Sequence, residues 1–340
     1  MINENQLQHL LTQIEAVKIA VVGDFCLDVY WEIDMQGSEM SVETGLPTYP
    51  VRKQRYFLGG AGNVVANLAA LKVGEVHAFG VVGEDLFASE MIRLCEQLSV
   101  KTEGLHVQEK EWDTSVYIKR IVDGKELNRI DFSNFNKISK TITDKLITQL
   151  AERIELFDAV IINQQLAHGI HSPYFRKKIV ALIERHPAKI FLTDSRDFGN
   201  DFHGSIRKIN DYEARILCGH KLNPNDEVSK KDAEASAREL MQRWGNLLFV
   251  TRGEHGILVC DDDEIIEITL PKITGPVDTV GAGDSLLAGL AAALGAGASA
   301  EGAGQLGTLV AGVTVQKLFQ CGTATPEEIL HLHDIQSSKP

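Results

Sequence analysis

The chain has 340 residues, 44% apolar and 24% charged, the make-up of a folded globular chain with a sizeable core. Lys and Arg total 34 against 47 Asp and Glu, a net charge of −13; this argues against nucleic acid or an anionic membrane as the main partner, since both recruit a basic footprint. The five cysteines are odd in number and widely spaced with no C-x-x-C, which argues against a zinc site or disulfide framework and for reduced thiols in a cytoplasm.

Residues 5–16 read as a short amphipathic helix. The N-terminus lacks a basic segment and a long apolar core, so it is not read as a signal peptide. Residues 17–22 are a compact apolar run ending in Gly23-Asp24, which suits a buried strand. Residues 29–58 carry no helical period and read as extended structure. Helix 63–72, strand 77–82 and helix 86–98 follow. A second extended stretch covers 105–132: residues 114–121 alternate, Asp123-Gly124 is a hairpin signal, and 126–132 return.

Strand and helix signals then alternate: helix 141–156, strand 158–163, helix 172–186, strand 189–194, a short strand near 205–209, helices 211–218 and 230–244, and strand 247–251. A hairpin runs through Asp261-Asp262-Asp263, and helices lie near 283–295 and 303–319. The most apolar stretch, 286–298, is too short to cross a bilayer, so a cytoplasmic protein without a membrane partner is expected. Alternating β and α elements indicate an α/β fold with a central, mostly parallel sheet flanked by helices. The stretches 29–58 and 105–132 are expected to form a small β-sheet lid inserted in a single domain, 1–340.

The sharpest chemical signal is Asp278-Thr279-Val280-Gly281-Ala282-Gly283-Asp284, followed by Ser285 and a Leu/Ala-rich helix. Gly281 and Gly283 let the backbone bend sharply and expose N–H groups at a helix N-terminus, where the dipole favours an anion. A carboxylate in that first turn, Asp284, can take a proton from an attacking hydroxyl. Three further segments stand in order along the chain: Gly59-Gly60-Ala61-Gly62-Asn63, Asn210-Asp211-Tyr212-Glu213, and Thr251-Arg252-Gly253-Glu254-His255-Gly256. Taken singly, the second reads equally as a helix N-cap with an acidic first turn, and the third as an ordinary turn.

Together the four segments resemble the signatures of the ribokinase (PfkB-type) carbohydrate kinase family, over about residues 17–327. Gly23-Asp24-Phe25-Cys26-Leu27-Asp28 and Gly312-Val313-Thr314-Val315 look most like the kinase domain of heptose-7-phosphate kinases. The resemblance implies a ribokinase-like fold and an ATP-dependent kinase acting on a sugar or sugar phosphate. Asp284 is its implied general base, and the N–H groups of Gly281, Ala282 and Gly283 its anion hole. Asn210 and Glu213 would organise Mg²⁺, largely through water, and Thr251, Gly253 and Gly256 would line the nucleotide. Asp278 matches a monovalent-cation position, with K⁺ as candidate.

On the acceptor side the resemblance implies Asp24, Asp28, Gly59, Gly60, Asn63, Gln165 and Arg129. Arg129 and Asp131 either reach the substrate or pair with each other at the surface. Family lids often clasp a second subunit, so a homodimer through the β lid is expected, with lid closure excluding water. Two departures leave the acceptor open: Asn163-Gln164-Gln165 has only amides where heptose kinases show an Asp-Tyr pair, and Ser195-Arg196 follows Asp194 in place of Pro-Lys. Heptose 7-phosphate, a hexose phosphate and a free ketose all fit. One alternative is a catalytically idle sugar-binding or regulatory protein on the same scaffold. Another is an NAD-dependent dehydrogenase, since Gly60–Ala66 fits G-x-G-x-x-A with Glu84 beyond it; the preceding run with Arg52, Lys53, Gln54 and Arg55 is too polar for a buried first strand.

Overall fold

The computed structural model describes residues 2–223, 226–262, 264–270, 273–318 and 320–337. Helix α1 (Glu4–Ile14) leads into β1 (Lys18–Gly23), and after Asp24 the chain enters β2 (Phe25–Ile33). β3 (Val51–Gly60), α2 (Ala61–Ala70), β4 (Glu75–Val82), α3 (Leu86–Gln97) and β5 (Lys101–Val107) follow, then β6 (Ser115–Val122), β7 (Lys125–Glu126) and β8 (Ile130–Asp131). The next elements are α4 (Lys140–Arg153), β9 (Ala159–Gln164), α5 (Pro173–Arg185), β10 (Ile190–Ser195), β11 (Ile206–Asn210), α6 (Asp211–Leu217) and α7 (Lys230–Trp244). The chain ends with β12 (Leu248–Thr251), β13 (Ile257–Asp261), β14 (Glu264–Ile268), α8 (Ala282–Gly295), α9 (Ala300–Thr314) and α10 (Pro326–Ser337).

Nine strands form the main sheet in the order β14-β13-β12-β11-β10-β9-β1-β4-β5. All pairings from β12 to β5 are parallel; β13 is antiparallel to both its neighbours. The central strands are apolar on both faces, as a parallel sheet covered by helices requires. Ile19 and Val21 of β1 face the core shared with α2, α8 and α9, while Ala20 and Val22 face the α4 and α5 side. α6 and α7 cover β11 to β13 with a smaller apolar cluster. α8 is apolar all round because α2 and α9 pack on it. Among the described residues, no helix is long and apolar enough to cross a membrane.

The second sheet is small and mixed, ordered β3-β2-β6-β7 with β8 on β6. Its alternation sorts chemistry by face. Leu27 and Val29 join the main core with Val116 and Ile118, while Asp28 and Tyr30 point the other way, opposite Tyr117 and Lys119. Two sequence boundaries change. β2 begins at Phe25, so the sheet starts ahead of residue 29. Residues 105–107 belong to β5, which pairs in parallel with β4 at the main sheet's edge. Both exposed edge strands and lid strands alternate, so pattern alone did not separate them. The hairpin expected at Asp261-Asp262-Asp263 exists as the β13/β14 pair, with Asp263 itself outside the described residues. The dehydrogenase outline also fails here. β3, before Gly60, runs antiparallel to β2 in the small sheet, so it makes no βαβ unit with β4.

Candidate active site

The carboxyl ends of β1, β9, β10, β11 and β12 lie side by side, with Gly23 and Asp194 both in register with Asn163, and Asn210 with Thr251. The N-termini of α2 and α8 close over this edge. Gly281 takes a left-handed φ of 78°, which turns the chain into α8 and puts Asp284 in its first turn. Asn63, from the first turn of α2, donates from Nδ2 to Asp284 Oδ2 at 3.0 Å. Asn67, one turn on, donates to Asn63 Oδ1 at 3.1 Å and so fixes which way that amide points. Burial pushes the Asp284 carboxyl up to about 6; Asp194 adds to the rise, while Asn63 and Lys208 oppose it.

The three N–H groups expected to form an anion hole are not all open. Ala282 N–H is taken by Thr279 O at 3.1 Å, because the turn into α8 closes on itself. Gly283 and Asp284 N–H are the first-turn donors that helix geometry leaves without an intrahelical acceptor. A buried cation joins them. Lys208 Nζ lies 2.9 Å from where a side chain on Gly283 would begin, and it pairs with Asp194 Oδ2 at 2.7 Å. Lys208 is 7% exposed; burial would lower its pKa, but Asp194, Glu213 and Asp284 carry it above the ordinary lysine value. Sequence reading passed over Asp194 and Lys208 as site residues. The available signal was a lysine inside a strand flanked by others of a parallel sheet, two residues before Asn210.

Asn210 and Glu213 form a reciprocal capping box on α6. Asn210 Oδ1 accepts from Glu213 N at 2.7 Å, and Asn210 N donates to Glu213 Oε2 at 2.8 Å. The N-cap reading thus holds, and the box leaves Glu213 Oε1 for another partner. Burial raises the Glu213 pKa; the bond from Asn210 N–H opposes the rise, and Asp194 adds to it. Among the described residues no three His, Cys, Asp or Glu side chains cluster as a metal cage. That donor set suits Mg²⁺ held through water and phosphate oxygens, and does not suit a dedicated protein cage.

A cleft of about 630 Å³ runs from Ala282 and Gly283 between Thr251, Gly253 and Gly256 on one side and Val277, Ala311 and Val315 on the other. Apolar walls leading to a helix N-terminus fit a nucleotide base with its phosphates at the glycine turn. Asp278 holds that turn from below: its Oδ1 accepts from Val280 N at 3.0 Å and its own N–H donates to Val315 O.

On the side expected to take the acceptor, Asp28 lies against Gly59. Its Oδ2 lies 2.6 Å from where a side chain on Gly59 would begin and accepts from Cys321 Sγ at 3.6 Å. Its Oδ1 meets Lys119 Nζ at 3.0 Å, and Lys119 also donates to Tyr30 Oη. The buried Cys26 thiol reports the same crowding, its pKa raised by burial first and then by Asp28 and Asp284. Arg129 pairs with Asp131 at 2.6 Å and stacks on the Tyr117 ring at 4.2 Å, beside Asp28. Asp24 departs from expectation. It is 2% exposed and its carboxylate is turned onto the backbone of 165–170, where Gln165, Leu166 and Ile170 donate to it. Gln165 thus joins the site's edge through its backbone. Gly60 starts α2 with φ 55°, close against Asp24 O.

A polar site at the carboxyl edge of a parallel sheet, with a small second sheet supplying one wall, defines a ribokinase-like kinase fold. The ribokinase of Arabidopsis thaliana, solved with ribose and ATP, aligns over 93% of this chain and 98% of its own, with a TM-score of 0.71 and 18% identity. Phosphofructokinase-2 from Escherichia coli, solved with fructose-6-phosphate, aligns over 95% and 99% with a TM-score of 0.69 and 16% identity. The chain belongs to the pfkB family of carbohydrate kinases, whose model matches residues 18–327. Curated relatives include the bifunctional protein HldE of Wolinella succinogenes, 30% identical over 93% of this chain, and that of Shewanella amazonensis, 30% identical over 96%. The chain spans 64% and 65% of those relatives' lengths.

Proposed function

We propose that the protein is an ATP-dependent kinase that moves the γ-phosphate of ATP to a hydroxyl of a sugar or sugar phosphate, in the cytoplasm. The observation that carries this reading is Asp284: a carboxyl raised to about 6, in the first turn of α8, beside the buried Lys208. At neutral pH it is ionised and basic enough to take the acceptor hydroxyl's proton as oxygen attacks phosphorus. Asn63 fixes its direction. Gly283 and Asp284 N–H, with Lys208, face the charge that builds on the transferring group. Mg²⁺, when bound with the nucleotide phosphates, supplies further charge neutralisation, and Glu213 and Asn210 would hold it through water. K⁺ beside the glycine turn would lie near Asp278.

The acceptor rests against Asp28, Gly59, Gly60 and Asn63, with Lys119 and Arg129 at its outer side. Heptose 7-phosphate, a hexose phosphate and a free ketose remain candidates, and the HldE relatives favour testing the first early. The test is ADP release from ATP and Mg²⁺ over a panel of D-ribose, fructose, fructose 6-phosphate and heptose 7-phosphate. Turnover with at least one acceptor, abolished by EDTA, is expected. A sugar that raises the melting temperature while none supports ADP release would mean a binding protein on the kinase scaffold.

A further inference from the structure

Asp24 binds no cleft-facing group, yet it is the most heavily hydrogen-bonded carboxylate at the site's edge. Oδ2 accepts from Gln165 N at 2.9 Å and Leu166 N at 3.0 Å, and Oδ1 accepts from Ile170 N at 2.9 Å. Its backbone works as well: Asp24 N donates to Asn163 O at 3.1 Å, and Asp24 O accepts from Ala61 N at 3.0 Å. One residue therefore joins three segments, namely the end of β9, loop 165–170, and the first turn of α2 that carries Asn63. His171 clamps the far end of the same loop, Nε2 against Asn163 O at 3.1 Å. A side chain on Gly169 would collide with Asp24 Oδ1, so the loop lies flat on the carboxylate.

Burying a carboxylate is costly unless charge-assisted bonds replace its water, and backbone N–H donors do so here. An apolar residue at this position would fill the space and release the loop. We propose that Asp24 is a positioning residue for the acceptor side. It ties loop 165–170 to the start of α2, so that Gln165 and Asn63 are presented to the sugar in one fixed geometry. The catalytic consequence rests on the kinase reading above; the tether itself does not.

Two variants and two readouts test it. Asp24→Asn removes an acceptor and the charge, and Gly169→Ala drives the carboxylate and the loop apart from the loop side. Gly169 lies on an accessible loop that can move off, so it serves if Asp24→Asn does not fold. Hydrogen exchange at the amides of Gln165, Leu166 and Ile170 is expected to speed up by at least about tenfold in both variants, with β1 and β9 unchanged. With fructose 6-phosphate or heptose 7-phosphate, whichever turns over, the acceptor KM should rise about tenfold while the ATP KM stays within about twofold. Wild-type exchange rates in both variants would overturn the tether. Loosened amides with an unchanged acceptor KM, or equal rises in both KM values, would overturn the positioning role. The exchange arm needs no turnover, so a failed kinase reading would leave it standing.

Discussion

Asp284 carries two consequences of opposite sign. As a base it must be ionised, so kcat/KM for the acceptor should fall about tenfold per pH unit below about 6, the pKa that burial sets. Asp284→Asn is expected to lower turnover by at least about 10²-fold and to keep ATP affinity, measured by calorimetric titration. Near-normal turnover would remove it from the base role. For stability the sign reverses. The folded pKa lies above that of an unfolded Asp, so the stabilisation is fully present below about pH 4 and is lost as pH rises through about 6. Asp284→Asn should therefore melt above wild type at pH 8, with the gap closing towards pH 4. The Asp194–Lys208 pair beside it behaves differently, because both partners are buried. Lys208→Met strands the Asp194 charge and should cost about 3–5 kcal/mol in denaturant unfolding. Adding Asp194→Asn should restore much of that stability without restoring turnover. A double variant that recovers turnover would show that Lys208 has no part in the chemistry.

At the scale of the element, α6 separates a cap from a metal role. Asn210→Ala breaks the capping box and should cost about 1 kcal/mol. Glu213→Gln keeps the box, because a glutamine carbonyl accepts from Asn210 N as well, and burial already disfavours the Glu213 charge. It should melt near wild type yet need about tenfold more Mg²⁺ for half-maximal rate; an unchanged Mg²⁺ requirement would leave Glu213 as a cap only. The same contrast explains what could be read from the sequence. The turn before α8 was legible because Gly281 takes a left-handed φ of 78°, which glycine adopts without strain, and that demand is local. The order of strands and helices was legible from periodicity. The different settings of Asp24 and Asp28 could not be read locally, since they depend on loop 165–170 and on Lys119, both distant in sequence. The partner of Lys208 is not visible locally, because Asp194 comes from the neighbouring strand. β5 and α10 were missed for want of a strong pattern: β5 alternates like the small sheet, and α10 has only a weak apolar face.

At the scale of the whole molecule, the segment between β2 and β3 carries apolar side chains into solvent. Val42 is fully exposed, and Met40, Leu46 and Tyr49 are more than half exposed, on an arm pinned by the Met40–Pro47 bridge. Phe135 is exposed as well. Isolated apolar residues are ordinary on a surface, but a cluster on one projecting arm is what an interface core needs. The homodimer expected through the β lid would bury it. Two chains of −13 repel each other, so association must come from this apolar contact and should strengthen with salt as the repulsion is screened. Light scattering at micromolar concentration is expected to give a dimer, and Val42→Asp with Leu46→Asp a folded monomer. The arm extends from the sheet that supplies Asp28 and Lys119, so loosening it should act on that wall first. The monomeric variant is accordingly expected to raise the acceptor KM several-fold, about one order at most, with the ATP KM little changed. A wild-type monomer at micromolar concentration would sink the dimer. A monomeric variant with an unchanged acceptor KM would show that each subunit builds its acceptor site alone.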